Sequence, residues 1–297
     1  MDDAVLPFQV ADTAVRGRVV RLSGAIDEIL SAHEFPDALS ELVGEAVSLV
    51  AMMGASLKFD GKLIFQAQGN GPASLIVADY SSGGNLRATA KSTAVDLPRG
   101  ARALLGDGSI VMTIDQGPDM DRYQGVTPIE GETLGEVAAA YFAQSEQIPT
   151  IVRLAVGRIQ TPGKGEHWRA GGLMAQFVPK EGGERGVAAA LTGEDRESWE
   201  RARAFIETVQ PDELLDPSIS AETLLYRLFH EDGVRVFDAS PLRAACSCNE
   251  GKIAAVLSRY SEDDLSDMVE DGAITVTCEF CRKDYSFTPE GIPSAGS

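Results

Sequence analysis

Four cysteines, Cys246, Cys248, Cys278 and Cys281, are the residues of this chain whose type and spacing best suit chemistry. All four fall within the last 52 of 297 residues, as C-x-C, then 29 residues, then C-x-x-C. Two close thiol pairs, each presented from one tight turn, supply the ligands of a tetrahedral zinc site once the segment between them folds back. An all-sulfur set suits zinc better than magnesium or calcium, which want oxygen. Three other readings of the spacing stay open: two structural disulfides, a redox-active C-x-x-C of thioredoxin type, and unrelated buried thiols. A thioredoxin-type pair opens a helix in a βαβ unit. Here Glu279-Phe280 and Arg282-Lys283-Asp284 begin no apolar helical stripe. Ile274–Thr277 and Tyr285–Phe287 instead alternate like two strands joined by a knuckle. The C-x-C half is tighter than usual for structural zinc. Cysteines two apart can also bridge, in a strained ring of labile or regulatory character. The same thiols therefore suit zinc when reduced and local disulfides when oxidised.

The elements around these cysteines are thin. Ile253, Ala254, Val256 and Leu257 predict a short helix, and Ser261 with Asp264 caps a second one carrying Leu265, Met268 and Val269. So few large apolar side chains cannot hold some fifty residues folded, whereas structural zinc supplies ~10–16 kcal/mol. Upstream, Trp199, Ala202, Phe205, Ile206 and Val209 predict an amphipathic helix ending before Pro211. Ser220 caps another, carrying Leu224, Leu225, Leu228 and Phe229 and stopped by Gly233. Such narrow stripes need a neighbour to lie on, and local unfolding there is cheap.

The first ~115 residues predict an α+β domain with an antiparallel sheet. Strands are expected at Gly17–Leu22, Lys62–Ala67, Ser74–Tyr80, Asn85–Lys91 and Ser109–Ile114, and the 62–67 and 74–80 pair is joined by Gly69-Asn70-Gly71-Pro72. A helix begins at Ala25. A second, from Pro36 to Met53, buries one face. Its Met52-Met53 pair reads as core filling rather than a binding surface. Thr133 and Glu136 form a capping box for a helix reaching Phe142, and Ile151–Val156 is a further strand. The Gly- and charge-rich Lys180–Arg185 reads as a boundary. The expected organisation is an α+β core at 1–180, an acidic helical linker at 181–240 and a zinc-binding redox-switch domain at 241–297.

Charge narrows the function. Residues 1–180 carry 15 basic and 21 acidic groups, and residues 181–297 carry 11 and 24. A nucleic-acid-binding zinc ribbon should be basic, and this one sits in the most acidic part of the chain. The three histidines form no H-E-x-x-H, and neither G-x-S-x-G nor a phosphate-cradling G-x-x-x-x-G-K-[ST] is present, so no enzyme is expected. There is no basic n-region and no apolar run of ~18 residues, which predicts a cytoplasmic chain with neither membrane nor nucleic-acid partner.

Tyr123-Gln124-Gly125, Tyr141-Phe142, Ser145–Thr150, Gly171-Gly172-Leu173-Met174 with Gln176 and Pro179, Leu225–His230 and the C-x-C…C-x-x-C together resemble the heat-shock protein 33 family. These are bacterial redox-regulated holdase chaperones, and the resemblance covers nearly the whole chain. Family members tend to carry a larger residue before the first cysteine and Ser after the C-x-C, where this chain has Ala245 and Asn249. The resemblance implies one zinc per chain in an inactive reduced form, held by Cys246, Cys248, Cys278 and Cys281. It implies Cys246–Cys248 and Cys278–Cys281 disulfides on oxidation, partial unfolding, and binding of unfolded or oxidatively damaged clients. It further implies a homodimer when active and a downstream ATP-dependent foldase. Leu224, Leu225, Leu228 and Phe229 are the expected client-binding stripe. A zinc-ribbon adaptor or transcription factor and a thiol-disulfide oxidoreductase are the competing classes.

Overall fold

The computed structural model describes residues 2–292 except 58–59, 95, 118–119, 162, 164 and 180–192, so the expected boundary at Lys180–Arg185 lies outside the described residues. The chain forms two compact units, Met1–Ala244 and Ala245–Ser297.

The first unit is built on two sheets. One has the order β10-β1-β2-β9-β8, from β1 (Ala4–Val10), β2 (Val15–Leu22), β8 (Thr150–Thr161), β9 (Gly165–Phe177) and β10 (Val234–Val236), with β11 (Ser240–Pro241) also pairing β1. All its pairings are antiparallel. The other has the order β12-β5-β4-β3-β6-β7, from β3 (Lys62–Gly69), β4 (Ala73–Ser81), β5 (Asn85–Ser92), β6 (Gly108–Asp115), β7 (Tyr123–Pro128) and β12 (Arg243–Ala244). It is antiparallel except where β12 joins β5 in parallel. The α+β class and the antiparallel sheet agree with the sequence reading.

Helix α1 (Gly24–Ser31) precedes α2 (Asp37–Gly54), which packs against strands of both sheets, and α3 (Ala101–Leu105) and α4 (Leu134–Tyr141) follow later in the chain. One buried face was expected of α2; instead it is buried nearly all round, from Leu39 through Met52. Two glycines permit this. A Cβ on Gly44 would lie 2.8 Å from Val156 of the first sheet, and one on Gly54 would lie 2.2 Å from Tyr80 of the second. Met52 is fully buried in this layer and Met53 packs at its margin, as core filling requires.

The opposite face of the first sheet, with Leu6, Phe8, Val10, Val15, Val19, Leu173, Ala175 and Phe177, forms a second core. Three helices roof it: α5 (Gly193–Glu207), α6 (Pro211–Leu215) and α7 (Ala221–Phe229). The described part of the segment expected as a linker is therefore packed within the first unit. Trp199, Ala202, Ile206, Leu214, Leu224, Leu225 and Phe229 provide its buried stripe, and the Phe229 ring stacks on Phe8 at 5.9 Å.

Two guanidiniums are buried in this sheet, those of Arg21 and Arg169. Arg169 donates from both terminal nitrogens to the Asp2 carboxylate, at 2.9 and 2.6 Å. Burial pushes the Asp2 carboxyl up, but the bonds and charge of Arg169 outweigh it and hold the group below the usual carboxylate range. A depressed carboxyl stabilises the fold above its unfolded pKa of ~3.9 and loses that contribution as pH falls through the folded value. Asp2→Asn is expected to cost about 2 kcal/mol at pH 7, read by urea unfolding. The difference from the native chain should vanish in strong acid.

Candidate metal centre

The second unit is small and held by few apolar contacts. Helices α8 (Glu250–Leu257) and α9 (Glu262–Asp267) precede a hairpin of β13 (Ile274–Thr277) and β14 (Asp284–Phe287). Leu257, Ile274 and Ile292 are the buried members of its hydrophobic cluster, with Ile253, Leu265, Val269, Val276 and Phe287 partly covered around them. A core this small does not by itself hold fifty residues folded.

Local chemistry sets the turns. Cys278 follows β13; its N–H donates to Lys283 O and its carbonyl accepts from Arg282 N, both at 2.9 Å. Arg282 takes the left-handed conformation with φ 58°, which reverses the chain and returns Cys281 towards Cys278. In the other knuckle, Asn249 caps α8 by accepting from Lys252 N at 2.9 Å, while the Lys252 ammonium donates to Ser247 O at 2.6 Å. Asn and Ser are both good N-cap residues, so the departure at Asn249 keeps the turn that presents Cys248.

These turns bring all four sulfurs within 4.8 Å of one another. Cys246 Sγ lies 3.8 Å from Cys278 Sγ, and Cys248 Sγ lies 3.4 Å from Cys281 Sγ. Four sulfurs at ~2.3 Å from one zinc form a tetrahedron with edges of ~3.8 Å, near the two separations just given, so the donor set fits such an ion. The cysteines are unbridged and three of them are half-buried, with Cys278 buried.

Sequence reasoning missed Tyr285, which appeared only as a strand residue. Its hydroxyl donates to Cys248 Sγ at 3.1 Å. Burial pushes the Cys248 thiol up, but hydrogen bonds from Tyr285 and the other three cysteines outweigh it and bring it down to about 7. Cys281 is pushed up to about 12, chiefly by burial. One thiol of the cluster is thus more acidic than an ordinary cysteine.

Sequence reasoning also missed what holds the roof of the first unit. The Arg21 guanidinium donates to Glu213 O at 2.8 Å and to Asp216 O at 2.9 Å, where the carbonyls at the end of α6 lack helical partners. Arg153 donates to Val209 O at 3.2 Å. Gly171 lies beneath α6, where a Cβ would stand 2.4 Å from Leu214 O. One signal was present: Arg21 interrupts the apolar run Val19-Val20-Arg21-Leu22. Leu224, Leu225 and Phe229 of the expected client-binding stripe are fully buried under this roof, and Leu228 packs at its edge.

Other resembling residues are packing positions. Tyr123 and Tyr141 both donate to Glu146, at 3.2 and 3.4 Å, and Gly125 leaves room for the Tyr141 ring. No helix among the described residues is long and apolar enough to cross a membrane.

Comparison with known proteins agrees along the whole length. A family model described as Hsp33 protein matches residues 3–288. The 33 kDa chaperonin of Caulobacter vibrioides is 49% identical over 300 residues, covering 98% of this chain and 96% of its own. That of Azotobacter vinelandii is 35% identical over 290 residues, covering 96% and 91%. The crystal structure of the 33 kDa chaperonin (heat shock protein 33 homolog) of Thermotoga maritima superposes with a TM-score of 0.80 over 98% of this chain and 96% of its own, at 23% identity, and so shares the fold. On this evidence the chain belongs to the Hsp33 family of chaperones.

Proposed function

We propose that this protein is a cytoplasmic, ATP-independent holdase that is inactive when reduced and switched on by oxidation. The observation that carries the reading is the pairing of a four-sulfur cluster with a unit whose own hydrophobic core is very small. In the reduced chain Cys246, Cys248, Cys278 and Cys281 hold one zinc as thiolates. The ion supplies the folding free energy that the apolar residues do not.

Thiolates are the species that oxidants attack. Each pair, Cys246 with Cys248 and Cys278 with Cys281, gives two electrons to one peroxide, which takes up two protons and leaves as two waters. The sulfurs joined in this way no longer serve as ligands, and the ion leaves. Ala245–Ser297 then loses its main source of stability. The chain between Phe229 and Cys246 runs through β10, β11 and β12, so disorder in the cysteine unit loosens the strands that follow α7. Undocking of α5–α7 uncovers Leu224, Leu225, Leu228 and Phe229 on one side and the Phe8–Phe177 face of the first sheet on the other. Surfaces of this kind bind unfolded polypeptide non-directionally. The active form pairs as a homodimer and passes its clients to an ATP-dependent foldase.

Peroxide treatment of the purified, zinc-loaded chain under mild heat, with zinc release and client aggregation followed together, tests this reading. Release of one zinc should coincide with the onset of protection. Equal protection by the reduced, zinc-loaded chain would contradict it.

A further inference from the structure

One end of the first sheet is left uncovered by the described residues on the face that elsewhere packs on α2. Strand register places Arg235, Gln9, Arg16 and Gln176 in one row across β10, β1, β2 and β9. The next row places Phe237, whose N–H donates to Pro7 O, beside Pro7, Arg18 and Met174. A cavity of about 510 Å³ opens over these rows, with Arg16, Arg18, Arg235 and Phe237 among its walls and, among the described residues, no acidic side chain lining it.

The net charge is −19, and Arg87, Arg99, Arg102, Arg122 and Arg201 each meet a carboxylate. Among the described residues, Arg16, Arg18 and Arg235 meet none. Burial pushes the Arg18 guanidinium down, with no carboxylate to offset it. A desolvated charge without a partner is costly, and a fold that keeps one at the wall of a cavity has it available for an anion. Neighbouring strands lie ~4.8 Å apart and alternate residues ~7 Å apart, so the three stems rise from a patch ~10 Å across. Guanidinium forks from such a patch can close on one ligand, each with bidentate hydrogen bonds to an oxyanion.

We propose that the cavity walled by Arg16, Arg18 and Arg235 is a binding site for a small, multiply charged oxyanion. The half-exposed Phe237 ring and Pro7 give such a ligand an apolar wall beside its charged groups. Phosphate esters and polycarboxylates share the required chemistry. A ligand held by β2 and β10 together also ties β10 to the sheet, and so raises the thermal midpoint of the first unit. Nothing in this assignment depends on the redox reading, since it concerns the reduced chain alone.

Calorimetric titration of the reduced, metal-replete full chain in 0.15 M NaCl tests the site, with tripolyphosphate in one arm and benzene-1,3,5-tricarboxylate in the other. Zinc content is measured before and after, so that heat from metal removal is recognised. One site per chain is expected, with a Kd on the order of 10–100 μM for at least one arm. The tighter arm identifies which class of oxyanion the cavity takes. Arg18→Ala and Arg235→Ala should each weaken binding about tenfold or more, while Arg203→Ala, on an exposed helix face and already paired with Glu207, leaves it unchanged. Arg235 is exposed on a three-residue strand, so its variant decides the matter even should Arg18→Ala fail to fold. Absence of saturable binding in both arms, or equal affinity in the Arg16→Ala/Arg18→Ala/Arg235→Ala chain, overturns the proposal.

Discussion

Cys278→Ser is expected to reduce bound zinc from one per chain to nearly none and to unfold Ala245–Ser297 while β3, β4 and β6 of the first unit stay paired. Removing one of four thiolates takes most of the affinity from a site whose metal contributes ~10–16 kcal/mol of folding free energy. Against that stands a cluster whose buried members are Leu257, Ile274 and Ile292. Amide spectra should show the resonances of β13 and β14 collapsing to unfolded positions, with those of β3, β4 and β6 unmoved. Full zinc occupancy with a folded hairpin in this variant would reject the four-thiolate assignment. The first unit has a core of its own between its sheets and around α2, and this makes the expected loss selective.

The second large effect concerns the roof rather than the metal. Gly171→Val should switch the chaperone on without oxidation. A side chain there meets the Leu214 carbonyl at 2.4 Å, and backbone cannot yield as a flexible side chain can, so α6 must lift. Valine suits a strand, so β9 itself tolerates the change. Reduced, zinc-loaded Gly171→Val is expected to suppress client aggregation nearly as well as oxidised native protein, and to be cleaved within 193–229 by protease. Arg21→Leu should act in the same direction, since each hydrogen bond from a charged donor to the α6 carbonyls contributes ~1.5–3 kcal/mol. A reduced Gly171→Val chain that stays inert while its roof is demonstrably cleaved would separate undocking from activity and remove the stripe of Leu224, Leu225, Leu228 and Phe229 from consideration as a client surface.

Much of this architecture is legible in local sequence, and the reasons are specific. The capping box of Thr133 and Glu136 forms as read, as does that of Ser261 and Asp264, and Ser220 accepts from Thr223 N at the start of α7. Side chain and backbone a few residues apart decide these features. Four strands of the second sheet, β3 to β6, are also where alternation places them, within a residue or two, whereas β7 and β12 carried no such signal. Likeness to the heat-shock protein 33 family, carried by residues scattered from Tyr123 to Cys281, agrees with a family match over residues 3–288.

What escaped depends on contacts distant in sequence. β1 shows no clean alternation because both its faces are buried, one against the α2 layer and one under α5–α7, and Pro7 disguises it further. β9 contains Gly171-Gly172, which reads as a turn in isolation. It is a strand because Leu214 O approaches one face and Met52 the other, and only glycine leaves room for both. The helix expected through Phe142 ends at Tyr141, and a π turn over Phe142–Glu146 carries the chain to Gln147 in left-handed conformation. That turn places Glu146 where both Tyr123 and Tyr141 reach it, a gain that no propensity encodes. The types and spacing of the four cysteines announced a common site. Tyr285, which tunes one of them, belongs to a hairpin whose register only the folded chain defines.

Hydrogen exchange of the roof, measured on one preparation before and after peroxide, bears most directly on the coupling between sulfur chemistry and exposed surface. In the reduced, zinc-loaded chain the amides of 193–229 should exchange slowly, with those of β9. After oxidation and loss of one zinc they should exchange as unfolded chain, while β3, β4 and β6 remain protected. Unchanged protection of 193–229 in a chain that has lost its zinc and bridged its cysteines would contradict the account.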